Sequence, residues 1–205
     1  MRTVIIEKPK LIEWGAAARP LTGQTVSGDM YVVECFKNGA LVAAIDGVGH
    51  GGEASAVARL AADILRQNAG ESVIALIKRC HAALTKTRGV VMTLASVDAV
   101  DGTVTWVGVG NVEARLFRAE ADISHPCEQI LLRGGLVGLQ LPALQAGIMP
   151  LAPGDLLVFA TDGIQISFEG GVNLTEPVQQ IAEGILSRHF KGTDDALVLV
   201  ARFLT

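Results

Sequence analysis

The stretch "LVAAIDGVGHGGEASAVARL", residues Leu41 to Leu60, decides how the rest of the chain is read. Apolar residues run straight into Asp46, and glycines with a histidine then lead into a helical pattern. Two readings compete. Gly47, Gly49 and Gly52 spell G-x-G-x-x-G between a strand and a helix, the form of a dinucleotide-binding loop. Alternatively, the important residue is the aspartate that the strand delivers to its end.

The dinucleotide reading fails on three counts. It needs a helix that returns quickly to a parallel strand, whereas a second helical pattern follows the first. No acidic residue closes a second strand some twenty residues on, because Asp63 lies inside the first helical pattern and Glu71 begins the next. Asp46 would also set a carboxylate beside the pyrophosphate, where a positive site is wanted. Asp46 is therefore the residue to follow.

Working outward, "KNG" at Lys37 to Gly39 signals a hairpin turn, since Asn-Gly tolerates positive φ. It joins a strand over Asp29 to Phe36 to a returning strand over Ala40 to Ile45. Further strands are expected at Val4 to Glu7, Ile12 to Ala18, Val90 to Val97, Thr103 to Val109, Val112 to Arg118, Leu156 to Ala160 and Ala196 to Phe203. Apolar stripes at helical spacing mark Ala54 to Leu65, Val73 to Leu84 and Val178 to Phe190, the last with Thr175 as cap and Pro177 in its first turn. Paired helices between blocks of meandering strands predict an α+β fold, with antiparallel sheets and helices packed outside.

Bulk properties narrow the function. A chain of 205 residues suits one domain, 1–205. Its net charge of −4 and lack of a basic run argue against nucleic acid or an anionic membrane as partner. Cys35, Cys80 and Cys127 match neither a disulfide framework nor a zinc spacing, and read as buried thiols in a reducing cytoplasm. No apolar run is long enough for a spanning helix, and "MRTVIIEKPK" is no signal peptide.

The aspartates form a pattern. Folding the hairpin brings Asp29 and Asp46 to the same open end, within a residue pair or two. Asp162 ends the apolar run "LLVFAT", and Asp194 and Asp195 precede the last strand. Converging carboxylates raise one another's pKa unless cations neutralise them, and an all-oxygen set selects Mg2+ or Mn2+. Two such ions would activate a water and clamp a phosphoryl group.

These residues resemble the PPM family, the metal-dependent type 2C serine/threonine phosphatases, in the bacterial branch of SpoIIE and RsbX-like proteins. "SGDMY" resembles its Gly-Asp motif, "IDGVGHGGEAS" its Asp-Gly-x-Gly-His-Gly motif, "ATDGI" its Ser/Thr-Asp-Gly motif and "GTDDALVLVAR" its closing Asp-Asp strand. "GNVEARLFR" and "LRGGLVGL" fall in order between them. The resemblance implies a sandwich of two antiparallel β-sheets flanked by α-helices, with two Mn2+ or Mg2+ ions at one edge. It assigns Asp29 and Asp46 as metal ligands, Asp46 bridging, with the Gly47 carbonyl. Asp162 takes the second ion, and Asp194 aligns best with the closing ligand, leaving Asp195 the alternative. His50 either supports the site from behind the ligands or caps the loop. Leu197 stands where the family usually has Thr or Ser. The phosphate-binding arginine of eukaryotic members has no counterpart shortly before Asp29, and Arg19 is too distant. The implied function is a cytoplasmic protein phosphatase acting on phosphorylated stressosome or partner-switching proteins. The rivals are a catalytically idle binding module and a hydrolase of a small phosphoester.

Overall fold

The computed structural model describes residues 10–120, 127–170 and 172–205. The strand expected at Val4 to Glu7, and His125, lie outside the described residues. Among the described residues no helix is long and apolar enough to cross a membrane.

The central hairpin pairs β2 (Asp29–Phe36) with β3 (Gly39–Gly47). Its turn is one residue earlier than Asn38-Gly39, because Phe36 pairs with Gly39 across Lys37 and Asn38. Neither turn residue has positive φ. Gly39 is needed for space instead: a Cβ there would lie 2.1 Å from the Val97 carbonyl oxygen. That shift sets the register so that Asp29 lies directly opposite Asp46.

β3 is buried on both faces, and its period of two divides the core. Leu41, Ala43 and Ile45 face a layer that includes Leu65, Leu76 and Ile77 of two helices, α1 (Gly51–Gln67) and α2 (Val73–Leu84). Ala40, Val42 and Ala44 face inward, toward a second sheet. Ala54, Ala58, Ala61 and Ala62 keep the buried stripe of α1 small, so the helix lies close on the sheet. Ser72 caps α2 by accepting from the Ala75 N–H at 3.3 Å.

The first sheet runs in the order β2, β3, β4 (Val90–Asp98), β5 (Thr103–Val109) and β8 (Leu132–Arg133), with β9 (Gly147–Pro150) also on β5. The second runs β1 (Ile12–Arg19), β11 (Ala196–Phe203), β10 (Leu156–Ala160), β6 (Glu113–Phe117) and β7 (Cys127–Gln129). Every pairing is antiparallel except the short β5–β8 contact. In β10 and β11, Leu157, Phe159, Leu197, Leu199 and Ala201 fill the space between the sheets. Leu156, Val158, Val198 and Val200 point outward to α3 (Val178–His189). The result is helices, sheet, sheet, helix.

Three details depart from expectation. Pro177, not Thr175, is the N-cap of α3, and Thr175 instead donates to the Asn173 side chain. The very short strands β7 to β9 and a 3-10 turn at Ile166–Glu169 carry no alternation long enough to announce them. Of the cysteines only Cys80 is fully buried, where burial pushes its thiol up to about 12; Cys127 is half-buried and Cys35 is exposed.

Candidate metal centre

The same parity that builds the core aims the aspartates. Asp46 shares a face with Val42 and Ala44, so its side chain belongs to the inward face of β3. Asp29, its direct partner, lies on the face of Tyr31 and Val33, which also pack on the inter-sheet core. Both carboxylates thus stand at the open end of the slot between the two sheets. Asp29 is 6% exposed. Its Oδ2 accepts from the Thr161 hydroxyl at 2.7 Å, and its backbone N–H donates to Ser27 Oγ at 3.0 Å.

Thr161 comes from the opposite sheet, one residue past β10. Its oxygen also accepts from the Leu197 N–H at 2.8 Å. One buried hydroxyl therefore joins β10, β11 and the head of β2, and holds Asp29 in a single orientation. Asp162 follows and is tethered at two atoms. Asn111 Nδ2 donates to its Oδ2 at 2.9 Å, and Lys191 Nζ donates to its backbone carbonyl at 2.7 Å. The Lys191 N–H bonds the Gly163 carbonyl at 2.9 Å. Gly163 has no room for a side chain, since a Cβ would lie 2.0 Å from the Asp195 carbonyl oxygen. The sequence alone assigns no role to Asn111, Thr161 or Lys191, although Asn111 lies in "GNVEARLFR" and Thr161 in "ATDGI".

Asp194 and Asp195 part company in space. Asp195 is 3% exposed, and both its oxygens are taken: Oδ1 accepts from the Leu21 N–H and Oδ2 from the Gly28 N–H, each at 2.7 Å. Asp195 thereby ties the loop before β2 to the head of β11. Asp194 is half-buried, with one oxygen accepting from the Asp195 N–H at 2.8 Å.

Gly47 closes β3 against the first turn of α1. A Cβ on it would meet the Ala54 carbonyl oxygen at 2.3 Å, so the backbone there comes close to the helix as only glycine permits. His50 occupies the N-cap position of α1 without a side-chain capping bond and is exposed. Arg88, from the α2–β4 connection, donates to the Val48 carbonyl at 3.1 Å and pairs with Glu53, bracing this loop. Arg19 stacks over the Phe190 ring at 5.1 Å, on the outward face of its sheet. His81 Nδ1 accepts from the Gly138 N–H at 3.0 Å, a packing role.

The electrostatics follow from this placement. Burial, then the charges of Asp29, Asp162, Asp194 and Asp195, raises Asp46 from 3.8 to about 8. Burial raises Asp29 to about 7, against the opposing Thr161 bond and reinforced by the other aspartates. Asp162 is raised by burial and by Asp194, while Asn111 and Lys191 oppose the shift. Among the described residues no donor reaches the Asp46 carboxylate. Nor do any three acidic, His or Cys side chains there close on a common point, so the carboxylates form a rim and not a finished shell. Desolvated carboxylates that disfavour one another's charge are a donor set that hard divalent cations neutralise, and oxygen alone suits Mg2+ or Mn2+.

Comparison with known proteins agrees with this architecture. The phosphoserine phosphatase RsbX of Bacillus subtilis is 25% identical over 104 residues, covering 51% of this chain and 52% of its own. The alignment therefore spans about half the length of that curated relative. A solved structure from work on the bacterial stressosome, as a modular system adapted to control secondary messenger signalling, is 28% identical. It aligns with a TM-score of 0.84 over 94% of this chain and all of its own. RsbX in complex with magnesium, at 19% identity, shares the fold with a TM-score of 0.83 over 96% of this chain and 98% of its own. The family described as stage II sporulation protein E (SpoIIE) matches residues 37–204, from the turn of the central hairpin to the end of the last strand. With that span matched, the chain belongs to the SpoIIE-type branch of the PPM family.

Proposed function

We propose that this chain is a phosphoserine/phosphothreonine protein phosphatase that acts on phosphorylated signalling proteins. The observation that carries the reading is the meeting of Asp29 and Asp46 from one sheet with Asp162 and Asp194 from the other at one edge, where each disfavours its neighbours' charge. Asp29, Asp46, the Gly47 carbonyl, Asp162 and Asp194 would hold two Mn2+ or Mg2+ ions, with Asp46 between them. Asp195 is left out of the ligand set because both of its oxygens accept backbone N–H bonds.

Bound ions would supply an activated water and neutralise the phosphoryl group during in-line displacement. The chain's own part is positioning. Thr161 fixes the Asp29 carboxylate, Asn111 that of Asp162, and Lys191 the backbone on which Asp162 sits. Similarity to a phosphoserine phosphatase and to a stressosome structure supports phosphorylated stressosome or partner-switching proteins as substrates.

Hydrolysis of p-nitrophenyl phosphate and of phosphoserine proteins in Mn2+, with and without EDTA, tests the reading. Turnover should require metal and vanish in chelator. Full activity in EDTA would exclude the metal centre, and a small phosphoester outcompeting every phosphoprotein would exclude the protein substrate.

A further inference from the structure

A groove of about 460 Å3 lies along the exposed side of α1, with Val26, Gly52, Ser55, Arg59, Leu60 and Asp63 in its lining. Its two walls are fixed to each other and to Asp195, the neighbour of Asp194. The loop carrying Val26 is bound at Leu21 and Gly28 by the Asp195 carboxylate. Ala54 of the helix touches the space over Gly28, and the Gln24 side chain lies over Gly51. Gly28 directly precedes Asp29, and a Cβ on it would lie 3.3 Å from the Gly47 carbonyl oxygen, so the walls of the groove adjoin residues proposed to hold metal.

Its lining has a definite chemistry. Val26 and Leu60 are each 42% exposed, while Ala58, Ala61 and Ala62 take the buried side of the helix. Asp63 is paired with Arg66 at 3.1 Å. Arg59 is exposed and has no ion-pair partner among the described residues. A positive charge without an ion-pair partner among the described residues thus shares the groove with two apolar side chains, in a chain whose net charge is −4.

We infer that this groove seats the segment flanking the phosphorylated residue of the substrate protein, with an apolar side chain between Val26 and Leu60 and a carboxylate on Arg59. The inference rests on the phosphatase reading. Metal at the rim would hold the phosphoryl group of any phosphoester alike, so a preference for one phosphoprotein must come from contacts to substrate away from the reacting group. A second copy of this chain is a poorer occupant, because a stable dimer buries roughly 1,200–2,000 Å2 and these two apolar residues offer a narrow strip.

The test uses phosphoserine dodecapeptides of alanine and glycine, in which a Leu-Glu pair is walked along either side of the phosphoserine. At one spacing the wild type should exceed the Ala-Ala control in kcat/KM by at least about 10-fold. Arg59→Glu should transfer that preference to the corresponding Leu-Lys peptide, and Leu60→Asp should abolish it. Both variants should turn over p-nitrophenyl phosphate at the wild-type rate, which reports folding and an intact metal centre. The inference is overturned if wild type hydrolyses p-nitrophenyl phosphate yet prefers no spacing, or if Arg59→Glu leaves the charge preference unchanged. It is also overturned if Leu60→Asp dissolves a dimer while peptide kinetics stay the same. A wild type inert toward p-nitrophenyl phosphate in Mn2+ overturns the phosphatase reading itself.

Discussion

Asp46 sits where burial and the charges of its neighbours favour the protonated form, lifting its pKa to about 8. Its effect on stability has the opposite sign to that of a salt-bridged aspartate. Between the ordinary value of 3.8 and about 8, the folded chain holds a proton that the unfolded chain has released. Stability of the metal-free protein should therefore fall as pH rises through that window, and be fully retained only below it. Asp46→Asn removes the titrating group, so in EDTA its denaturant midpoint should fall less steeply between pH 5 and pH 8 than that of wild type. Equal slopes would mean that Asp46 is an ordinary solvated carboxylate. In Mn2+ the same substitution should lower kcat by at least ~10³-fold if Asp46 holds the proposed bridging position, since that position would lose its charge. Asp46 itself was legible in the sequence, where an apolar strand runs into it and Gly47 follows. Asn111 and Lys191 were not, because nothing local distinguishes a residue that reaches Asp162 across 51 or 29 positions of chain.

Among the elements, apolar β-rich runs made the long strands readable and apolar stripes at helical spacing the three helices, while the turn of the central hairpin was misplaced by one residue. Asn-Gly carries a strong local preference for positive φ. The close approach of Gly39 to the Val97 carbonyl outweighs it, a contact to a third strand that no local pattern contains. The Asp-Asp pair heading β11 shows the same limit. Adjacent residues of one type differ only in which face of the slot they reach, and the hydrogen bonds separate them. Replacing Asp195 by Ala would orphan the Leu21 and Gly28 N–H groups, each of which donates to one oxygen of the Asp195 carboxylate. Such bonds contribute ~1.5–3 kcal/mol apiece, so Asp195→Ala should destabilise the fold by roughly 3 kcal/mol or more in urea titrations. Asp194→Ala should leave urea stability within about 1 kcal/mol of wild type, as half-buried positions outside the core allow, yet lose Mn2+-dependent turnover. Reversal of that pattern would make Asp195 the ligand and Asp194 the tether.

At the scale of the whole molecule, the acidic rim is an end of the inter-sheet slot where, among the described residues, carboxylates stand in place of apolar filling. Elsewhere the slot is closed by Phe159, Leu199, Val42 and their neighbours, and at this end Asp29, Asp46, Asp162 and Asp194 replace them. The apolar core holds the sheets together and the rim pushes them apart, so cations bound there would act as a joint between sheets as well as a reaction centre. Family order and strand pattern revealed the sandwich, but this opposition follows from which face each aspartate occupies, and that depends on register. Selective binding to the folded chain at about 100 times Kd adds ~2.7 kcal/mol per ion. In a domain of this size each kcal/mol raises Tm by roughly 2–4 °C. Saturating Mn2+ should therefore raise the melting temperature by about 5–10 °C for each ion bound, reversibly in EDTA. Removing one carboxylate from each sheet, with Asp29→Asn and Asp162→Asn together, should erase the Mn2+ shift while raising the melting temperature of the metal-free chain, since the repulsion across the slot is then relieved. A double variant that still gains the full Mn2+ increment would place the cation elsewhere, and the two sheets would owe nothing to it.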